Sequence, residues 1–556
     1  MLNTDNTLVN NDKEMASILN NTFSSIFTKE NSNNLPTPPQ MFHGSDDEKL
    51  GNINVQSSEI RKYLKTIDVN KSTGPDDISP RILKECCSQL ETPLTLLFNK
   101  SLSEAKVPTL WKRANITPLF KKGDKKQANN YRPISLTSVL IKLLEKIIKD
   151  KLITFLETHE LLNNNQHGFR SNRSCLTNLL DFFENVYATV DTKTPYDIIY
   201  LDFQKAFDKV PHNRLVSKLQ SHGIGDHLCA WIKDWLSDRQ QRVVLNGEKS
   251  EWLNVTSGVP QGSVLGPTLF LIYINDIDIN MSSTISKFAD DTKIGSSVLR
   301  VEDCEKVQAD LDRLSDWSEK WLMPFNIEKC KVMHIGNRNP NFKYKMRNHE
   351  LISIDQEKDL GVIINQNLKM TDQCTAASKK ANRMLGLISR NFGLKSPEVT
   401  RKLYTAFVRP HLEYAVQFWS PNYIKDQNLL ERVQRRATKK IPALRNLSYE
   451  DRLKRLDLFS LQKRRLRGDL IETFKILKGF DKINPDLLFQ VDNTTVTRGN
   501  GMKLRVKRCN TEIRKAFFTV RVVEHWNKLP ASVVDADTIH SFKCRLDKHF
   551  HEVGCY

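Results

Sequence analysis

Apolar residues along this chain follow two different periods, and the change between them marks the predicted elements. Over long segments they recur every three or four residues, which predicts amphipathic helices at residues 138–157, 176–190 and 301–321. Over short segments they alternate or run together, which predicts strands at residues 113–120, 131–136, 196–201, 240–245 and 252–255. We therefore expect strands to be confined to the part of the chain before about residue 371, and helices to dominate after it.

The charge and composition of the chain narrow its class. It has 556 residues, of which 39% are hydrophobic, enough for two or three packed domains. Its formal net charge of +19 exceeds what solubility needs and indicates a polyanion partner, most simply nucleic acid. Its cysteines form no Cys-x-x-Cys pair, so we expect a reducing, intracellular setting without a structural zinc. No apolar run approaches membrane-spanning length, and the N-terminus lacks a signal-peptide core.

Three carboxylates follow the ends of predicted strands. Asp290 and Asp291 lie between two short alternating runs, which is typical of a β-hairpin with the acids at its tip. Asp202 directly follows the apolar run at residues 196–201. An acidic pair alone usually marks a solvated turn, but three such carboxylates form a hard-oxygen site that suits two Mg²⁺ ions, or Mn²⁺ in their place. Asp208 fits a structural carboxylate better than a metal ligand.

A glycine-rich turn at residues 257–263 lies between these acids along the chain. Gly258 and Gly262 allow the backbone to approach a ligand closely, although the turn alone would equally fit a plain loop before a core helix. The order of Asp202, then Gly-Val-Pro-Gln-Gly, then Ala-Asp-Asp resembles the palm of reverse transcriptases. The fuller match is to the enzymes of non-LTR retrotransposons (long interspersed elements) of the jockey and CR1 kind.

This resemblance implies a fold and a division of the chain. The fold is α+β, a right-hand polymerase with fingers, a palm built on an antiparallel sheet, and a helical C-terminal thumb. The reverse transcriptase core is expected at about residues 113–365. The implied regions are a flexible N-terminal linker (1–54), an N-terminal extension with the fingers (55–190), the palm (191–365), the thumb (366–485) and a C-terminal tail (486–556).

The resemblance also implies RNA-directed DNA synthesis, in which a primer 3′-hydroxyl attacks a dNTP between two metal ions. The aspartates bind the metals and Lys329 meets the leaving pyrophosphate, so the implied catalytic residues are Asp202, Asp290, Asp291 and Lys329. Phe207 is expected to pack under the sugar of the nucleotide. The residues implied to hold the dNTP are Lys121, for which Lys122 is an alternative, Arg132, Phe203, Phe207, Gln261 and Gly262.

Basic residues at two places are implied to contact an RNA template and a DNA primer. They are Arg170 and Arg173 in the fingers, and Arg432, Arg435, Arg436, Lys439 and Lys440 on one thumb helix, where a plain solvated face is the alternative. No membrane contact is expected. The endonuclease of related elements would have to come from a missing upstream domain or another protein, and the expected location is a cytoplasmic ribonucleoprotein and the nucleus.

Two other functions stay open at this point. An RNA-dependent RNA polymerase would share the palm chemistry, but such enzymes usually place a residue that tolerates a ribose 2′-hydroxyl where this chain has Phe207. A non-catalytic nucleic-acid-binding relic would explain the charge, but all three carboxylates are intact.

Overall fold

The structure is a computed structural model that describes residues 1–2, 7–31, 33–392, 396–492 and 501–552. Helices and strands are mixed up to residue 365, and the rest of the described chain is almost wholly helical. The α+β class is thereby confirmed. Across the described residues, every helix is too short or too polar to cross a membrane. Residues 493–500 and 553–556 of the expected tail lie outside the described part.

The N-terminal part of the chain combines helices with the first two strands. Its elements are α1 (Asp12–Ser24), α2 (Ser57–Lys65), α3 (Pro80–Glu85), α4 (Cys87–Ser103), β1 (Arg113–Phe120), β2 (Tyr131–Thr137), α5 (Val139–Thr158) and α6 (Cys175–Asp191). The helices and strands expected in this region from residue 113 onward are confirmed to within a few residues. Ser138 begins α5 by accepting a hydrogen bond from the N–H of Leu140, as its place before the apolar run predicts.

The middle of the chain contains the remaining strands. Its elements are β3 (Tyr196–Leu201), α7 (Ala206–Lys209), α8 (His212–Ser221), α9 (Asp226–Leu236), β4 (Arg239–Leu245), β5 (Glu248–Lys249), β6 (Leu253–Val255), α10 (Gly266–Tyr273), β7 (Thr284–Phe288), β8 (Asp291–Ser297), α11 (Val301–Lys320), β9 (Lys331–Ile335), β10 (Lys345–Met346), β11 (His349–Glu350), β12 (Ile352–Ser353), β13 (Gln356–Asp359) and β14 (Val362–Asn365).

Most of these strands belong to two five-stranded sheets. The central sheet has the order β12-β9-β3-β8-β7 and is antiparallel except where β12 runs parallel to β9. The second sheet has the order β2-β1-β4-β5, with β6 also on β4, and contains a parallel β1–β4 pair. The central sheet therefore places β3 in its middle and the β7–β8 hairpin at one edge.

Both faces of β3 are buried, which explains why its sequence is a continuous apolar run. Ile199 and Leu201 pack into one hydrophobic cluster, together with α5, α8 to α11 and the N-terminal helices. Tyr196 and Ile198, which point to the opposite face, pack into a second cluster with α6 and the C-terminal helices. The end of β3 is thus held rigidly between two cores.

The N-terminal segment was expected to be a flexible linker, but parts of it pack against the rest of the chain. Helix α1 buries Ala16 and Phe23 against the second sheet, and Asn20 donates to the Ser250 hydroxyl at 3.0 Å. Further along, the Glu30 carboxylate pairs with Arg214 at 2.9 Å, with both side chains almost fully buried. The Asn- and Ser-rich composition suggested a solvated segment, whereas its few apolar and charged residues find specific partners.

The C-terminal region is a set of helices. They are α12 (Thr371–Asn391), α13 (Pro397–Leu403), α14 (Pro410–Glu413), α15 (Val416–Trp419), α16 (Ile424–Lys439), α17 (Tyr449–Leu456), α18 (Leu461–Leu477), α19 (Pro485–Leu488), α20 (Glu512–Ala516), α21 (Phe518–Arg521), α22 (Val523–Asn527), α23 (Ala531–Val534) and α24 (Ile539–Glu552), with a π-helical turn at Tyr404–Val408. They share one hydrophobic cluster with α6 and one face of the central sheet.

Candidate active site

The Asp290–Asp291 pair lies at the tip of the β7–β8 hairpin, as its sequence predicts. Residue Ala289 in this turn is 5% exposed and has a left-handed backbone, with φ of 57°. That conformation costs a residue with a Cβ about 1–2 kcal/mol. The turn therefore needs support from outside the hairpin.

The support comes from Gln166, in the loop between α5 and α6. Its side-chain oxygen accepts hydrogen bonds from the N–H groups of Ala289, at 2.9 Å, and Gly168, at 2.8 Å. Its side-chain nitrogen donates to the Ala289 carbonyl at 3.4 Å. Gly168 lies so close that an added Cβ would be 2.3 Å from the Ala289 nitrogen. Several contacts thus hold one strained turn in a single position.

Asp202 follows the last residue of β3, next to the hairpin strand that begins with Asp291. The antiparallel register pairs Leu201 with Thr292, so the next step along each strand brings Asp202 beside Asp291. Helix α7 begins only at Ala206, because residues 202–204 pair with residues 324–326 and Lys205 has a φ of 50°. The three carboxylates are therefore positioned by backbone pairing.

The electrostatics of the three carboxylates show that they repel one another. Burial and the negative charges of Asp290, Asp359 and Asp202 raise the pKa of Asp291 to about 6. Burial, and then the charge of Asp202, raises the pKa of Asp290. Within the described ranges, no three His, Cys, Asp or Glu side chains are close enough to form a ready-made metal cluster. The three aspartates are therefore close enough to influence one another's charge, although their oxygens do not converge tightly on a single point.

Positive charges face the same place from two other elements. Lys329, just before β9, donates to the Asp202 carboxylate at 2.7 Å and is half-exposed. Burial and the positive charges of Arg132 and Lys329 lower the pKa of Lys121, while Asp202 opposes that shift. Lys121, Arg132 and Lys329 therefore lie near one another and near Asp202. Arg132 itself is exposed on β2.

The glycine-rich turn at residues 257–263 is joined to β2 and to Asp208. The Gln261 side chain donates to both Asp208 oxygens, at 2.9 and 3.0 Å, and its carbonyl accepts from the Ser135 N–H at 2.7 Å. Gly262 has a φ of 126°, and a Cβ there would lie 2.4 Å from the Ser135 carbonyl oxygen. Burial raises the pKa of Asp208 to about 6, against the Gln261 hydrogen bond. A glycine is required at position 262 because the turn packs directly against the backbone of Ser135, which leaves no room for a Cβ.

The part of the sequence that contains these residues matches a known family. Residues 121–388, just under half of the chain, match the family Reverse transcriptase (RNA-dependent DNA polymerase). This segment is similar to reverse transcriptases. It contains the three carboxylates, the turn at 257–263 and both Lys121 and Arg132, and it extends past the expected end of the core at residue 365 into α12.

Relatives that match about two thirds or more of the chain come from mobile elements. The chain is 26% identical over 467 residues to the probable RNA-directed DNA polymerase from transposon BS of Drosophila melanogaster, covering 78% of this chain and 50% of that protein. It is 28% identical over 382 residues to the RNA-directed DNA polymerase from mobile element jockey of the same fly, covering 66% of this chain and 41% of the relative. The resemblance to non-LTR retrotransposon reverse transcriptases is confirmed, and the chain spans half or less of these relatives' length.

Two phenylalanines that follow Asp202 have different environments. The half-buried Phe207 ring stacks on Phe270 of α10, with ring centres 4.6 Å apart, and meets the exposed Phe169 edge-on. Phe203 is only 4% exposed, and its ring stacks on Phe325 in the core. Phe207 therefore lies beside the turn at residues 257–263, where the Val259 N–H donates to its carbonyl at 2.8 Å. The Phe203 side chain points inward, contrary to the expectation that it contacts the nucleotide.

The two arginines expected to follow the template are instead bonded within the protein. Arg170 is 9% exposed, pairs with both oxygens of Glu157 at 3.1 Å and donates to the Asn163 carbonyl at 2.8 Å. Arg173 donates twice to Asn164, and burial and then the charge of Arg170 lower its pKa to about 10. Because their donors are used internally, both side chains brace the loop that carries Gln166, and the structure does not bring them to the carboxylates.

The basic residues of the C-terminal region remain on the surface. We call Arg432, Arg435, Arg436, Lys439 and Lys440 the basic face of α16. Its arginines and Lys439 are exposed, and Lys440, which follows the helix, is half-buried. Arg435 lies over the Tyr449 ring, and Lys440 donates to the Ser389 hydroxyl at 2.8 Å. These contacts hold the side-chain stems but leave most of the charges facing solvent.

The structure also reveals supporting residues that the sequence analysis did not single out. The ammonium of Lys293, two residues after Asp291, is 4% exposed, forms an ion pair with Asp359 and lies 5.0 Å from the centre of the Phe182 ring. A lysine in the middle of an otherwise buried strand was the available signal. Gln166 gave no such signal, because its role depends on a turn more than a hundred residues away.

Proposed function

We propose that this chain is the RNA-directed DNA polymerase of a non-LTR retrotransposon. Its support is one juxtaposition: Asp202, Asp290 and Asp291 lie at neighbouring ends of β3 and of the β7–β8 hairpin, and Lys121, Arg132 and Lys329 lie near Asp202. In this proposal the central sheet is the palm. Residues 55–190 form the N-terminal extension and the fingers, and residues 366–485 form the thumb.

The carboxylates are the residues that would hold two Mg²⁺ ions. They fit such ions because their oxygens are hard ligands and because a cation offsets both the burial and the mutual repulsion that raise the pKa of Asp291. When bound, the ions supply activation of the primer 3′-hydroxyl and stabilisation of the leaving pyrophosphate. The braced Asp290 turn fixes two of the three ligand groups before substrate arrives. Lys329, now paired with Asp202, stands where it can neutralise the leaving group.

The remaining site residues bind and orient the nucleotide. Arg132 and Lys121 supply a planar fork and a point charge for the triphosphate oxygens. Gln261 and Gly262 border the nucleotide, with Gln261 held by Asp208. Phe207, whose ring stacks on Phe270, would exclude a ribose 2′-hydroxyl.

The nucleic-acid partners follow from the charge of the thumb region. We propose that the basic face of α16 contacts the backbone of an RNA template paired with a DNA primer. Such contacts bind shape and phosphate without reading sequence. The nick that supplies the primer would come from an endonuclease in an upstream domain or in another protein. A ribonucleoprotein that enters the nucleus is the setting this function requires.

A primer-extension assay tests the proposal directly. The purified chain, a poly(rA) template, an oligo(dT) primer and Mg²⁺ should yield dTTP-dependent extension. UTP in place of dTTP distinguishes the RNA-polymerase alternative, which predicts extension with both nucleotides. Binding of the template–primer without extension by any nucleotide would support the relic function and contradict the proposal.

A further inference from the structure

A charged cavity lies in the C-terminal region, apart from the three aspartates of the candidate active site. It has a volume of about 630 Å³ and is lined by α18, residues 420–427, α20 to α22 and the end of α24. Its basic lining residues include Lys463, Arg465, Lys515 and Arg521, against the acids Asp469 and Glu512. The lining is thus basic in balance, and it uses no residue of the proposed polymerase site.

Arg465 is the unusual member of this lining. It is only 6% exposed, yet among the hydrogen bonds of the described residues none comes from its guanidinium. Arg521 shows the contrast, because it donates to both Asp469 oxygens, at 2.8 and 2.9 Å. Glu431 is also near Arg465, but its oxygens accept from the Tyr449 hydroxyl and the Leu461 N–H instead. The nearby carboxylates of Asp469 and Glu431 therefore supply negative charge but accept no hydrogen bond from the Arg465 guanidinium.

A mostly buried guanidinium without acceptors in the protein loses part of its hydration and gains no hydrogen bonds in return. Its planar donors match the paired oxygens of a phosphate group. Lys463, which also donates to the Phe550 carbonyl at 3.2 Å, adds further positive charge, whereas Lys515 is paired with Glu512 at 2.7 Å. We propose that this cavity binds a phosphate-bearing anion whose oxygens accept the N–H groups of Arg465. The phosphate belongs either to a free anion or to a nucleic-acid backbone, and the experiment below separates the two.

Binding of inorganic pyrophosphate to the full chain, measured by calorimetry in EDTA, tests the site. All chains carry Arg132→Gln, so that the proposed triphosphate site does not contribute. Arg465→Met should weaken pyrophosphate binding at least tenfold, because it removes the planar donor. The matched control Arg455→Met, which removes an exposed charge from α17, should change it less than twofold. Equal weakening in both variants, or no binding by the parent chain, would overturn the proposal.

Thermal unfolding in phosphate-free buffer separates binding from a structural role. If Arg465 serves a ligand, Arg465→Met should have a Tm no lower than that of Arg455→Met, because a costly buried charge has been removed. It should also lose the rise in Tm that pyrophosphate gives the parent chain. A Tm several degrees lower without any phosphate would make Arg465 a structural partner of Glu431 and overturn the proposal.

Binding of a single-stranded RNA oligonucleotide, measured in the same buffer, identifies the source of the phosphate. If Arg465→Met weakens RNA binding as it weakens pyrophosphate binding, and pyrophosphate competes with RNA, the site takes backbone phosphate. If RNA binding is unchanged, the site takes a free anion. Both results support an anion site and, because they do not involve extension, neither depends on the proposed polymerase reaction.

Discussion

The Asp290–Asp291 turn and the basic face of α16 carry opposite charges, and they differ in how firmly the structure holds those charges in place. The acids are held on a strained turn, fixed by Gln166 and by the register of β3 with β8. The basic face lies on an ordinary helix, and most of its charges point into solvent. The first arrangement fixes the position of individual atoms, whereas the second supplies charge at approximate positions.

This difference indicates what each region can tolerate. A reaction that joins two substrates depends on placement to a fraction of an ångström, and a small displacement costs about 10²-fold in rate. Binding to phosphates depends on the number of charges and is shared among them. Changes at the turn should therefore act steeply and individually, while changes on the basic face of α16 should act gradually and together.

The steepest effect is expected from Asp290→Asn. It removes one charged metal ligand at the fixed turn and should reduce primer extension by about 10³-fold or more, since such sites supply several kcal/mol of charge stabilisation. The variant should keep its Tm and its affinity for an RNA–DNA duplex. Extension is measured with poly(rA)·oligo(dT) and dTTP, and retention of more than a few per cent of wild-type activity would contradict the assignment of Asp290.

The next effect is expected from Gln166→Ala, which touches no substrate. It leaves the buried N–H groups of Ala289 and Gly168 without their acceptor and should destabilise the chain by about 2–4 kcal/mol. It should also lower the extension rate by about 10²-fold, because the turn loses its brace. Urea unfolding and extension kinetics measure the two effects.

Asn178→Ala is the matched control for this variant. The Asn178 side chain is also buried and donates to the Lys287 carbonyl at 3.0 Å, on the strand before the turn. Its loss should lower stability but leave extension within about tenfold of wild type. If both variants lose activity in proportion to their stability, the Gln166 contacts serve folding alone.

The sequence predicted the parts of the site that depend on local pattern. The hairpin at Asp290, the strand before Asp202 and the turn at 257–263 all follow from alternation, apolar runs and glycines within a few residues. Neither the partners of Arg170 nor the inward direction of Phe203 could be obtained this way. Each depends on a side chain that another part of the chain brings close, such as Glu157 and Phe325.

The N-terminal segment also shows that composition alone does not predict which residues pack against the rest of the chain. Its composition predicts solvation, yet α1 covers the second sheet and Glu30 finds Arg214 across the sequence. Composition averages over residues, whereas packing depends on a few of them. Roles tied to tertiary partners therefore need the structure, and the roles of solvent-facing residues such as Arg132 still rest on the resemblance.

A smaller effect, on sugar choice, is expected from Phe207→Ala. A 2′-hydroxyl buried against the Phe207 ring without a partner costs about 1–3 kcal/mol, or about 10- to 200-fold in discrimination. Removing the ring should raise kcat/KM for GTP relative to dGTP by that factor, with only a modest loss for dGTP. Single-nucleotide extension opposite template cytosine gives both values.

Phe203→Leu is the control for Phe207→Ala. Its ring belongs to the same segment but lies in the core, so the variant should lose stability without changing the ratio of GTP to dGTP use. A wild type that is indifferent to the sugar would contradict DNA synthesis itself. A selective wild type with an unchanged Phe207→Ala variant would contradict only the role of that ring.

The mildest and most graded effect is expected on the basic face of α16. If its side chains contact backbone phosphates, binding releases counterions, and each lost contact lowers the slope of log K against log salt by about 0.7–0.9. Arg432→Gln with Arg436→Gln should therefore reduce the slope by about 1.4–1.8 and weaken all duplex sequences alike. The control pair, Lys62→Gln with Lys65→Gln, removes two exposed charges from α2 and should leave the slope within about 0.3 of wild type. Binding of an RNA–DNA duplex, measured by fluorescence anisotropy over a range of salt concentrations, gives the slopes. An equal change in both pairs would show that the chain binds through its total charge, and an unchanged slope in the α16 pair would return that face to an ordinary solvated surface.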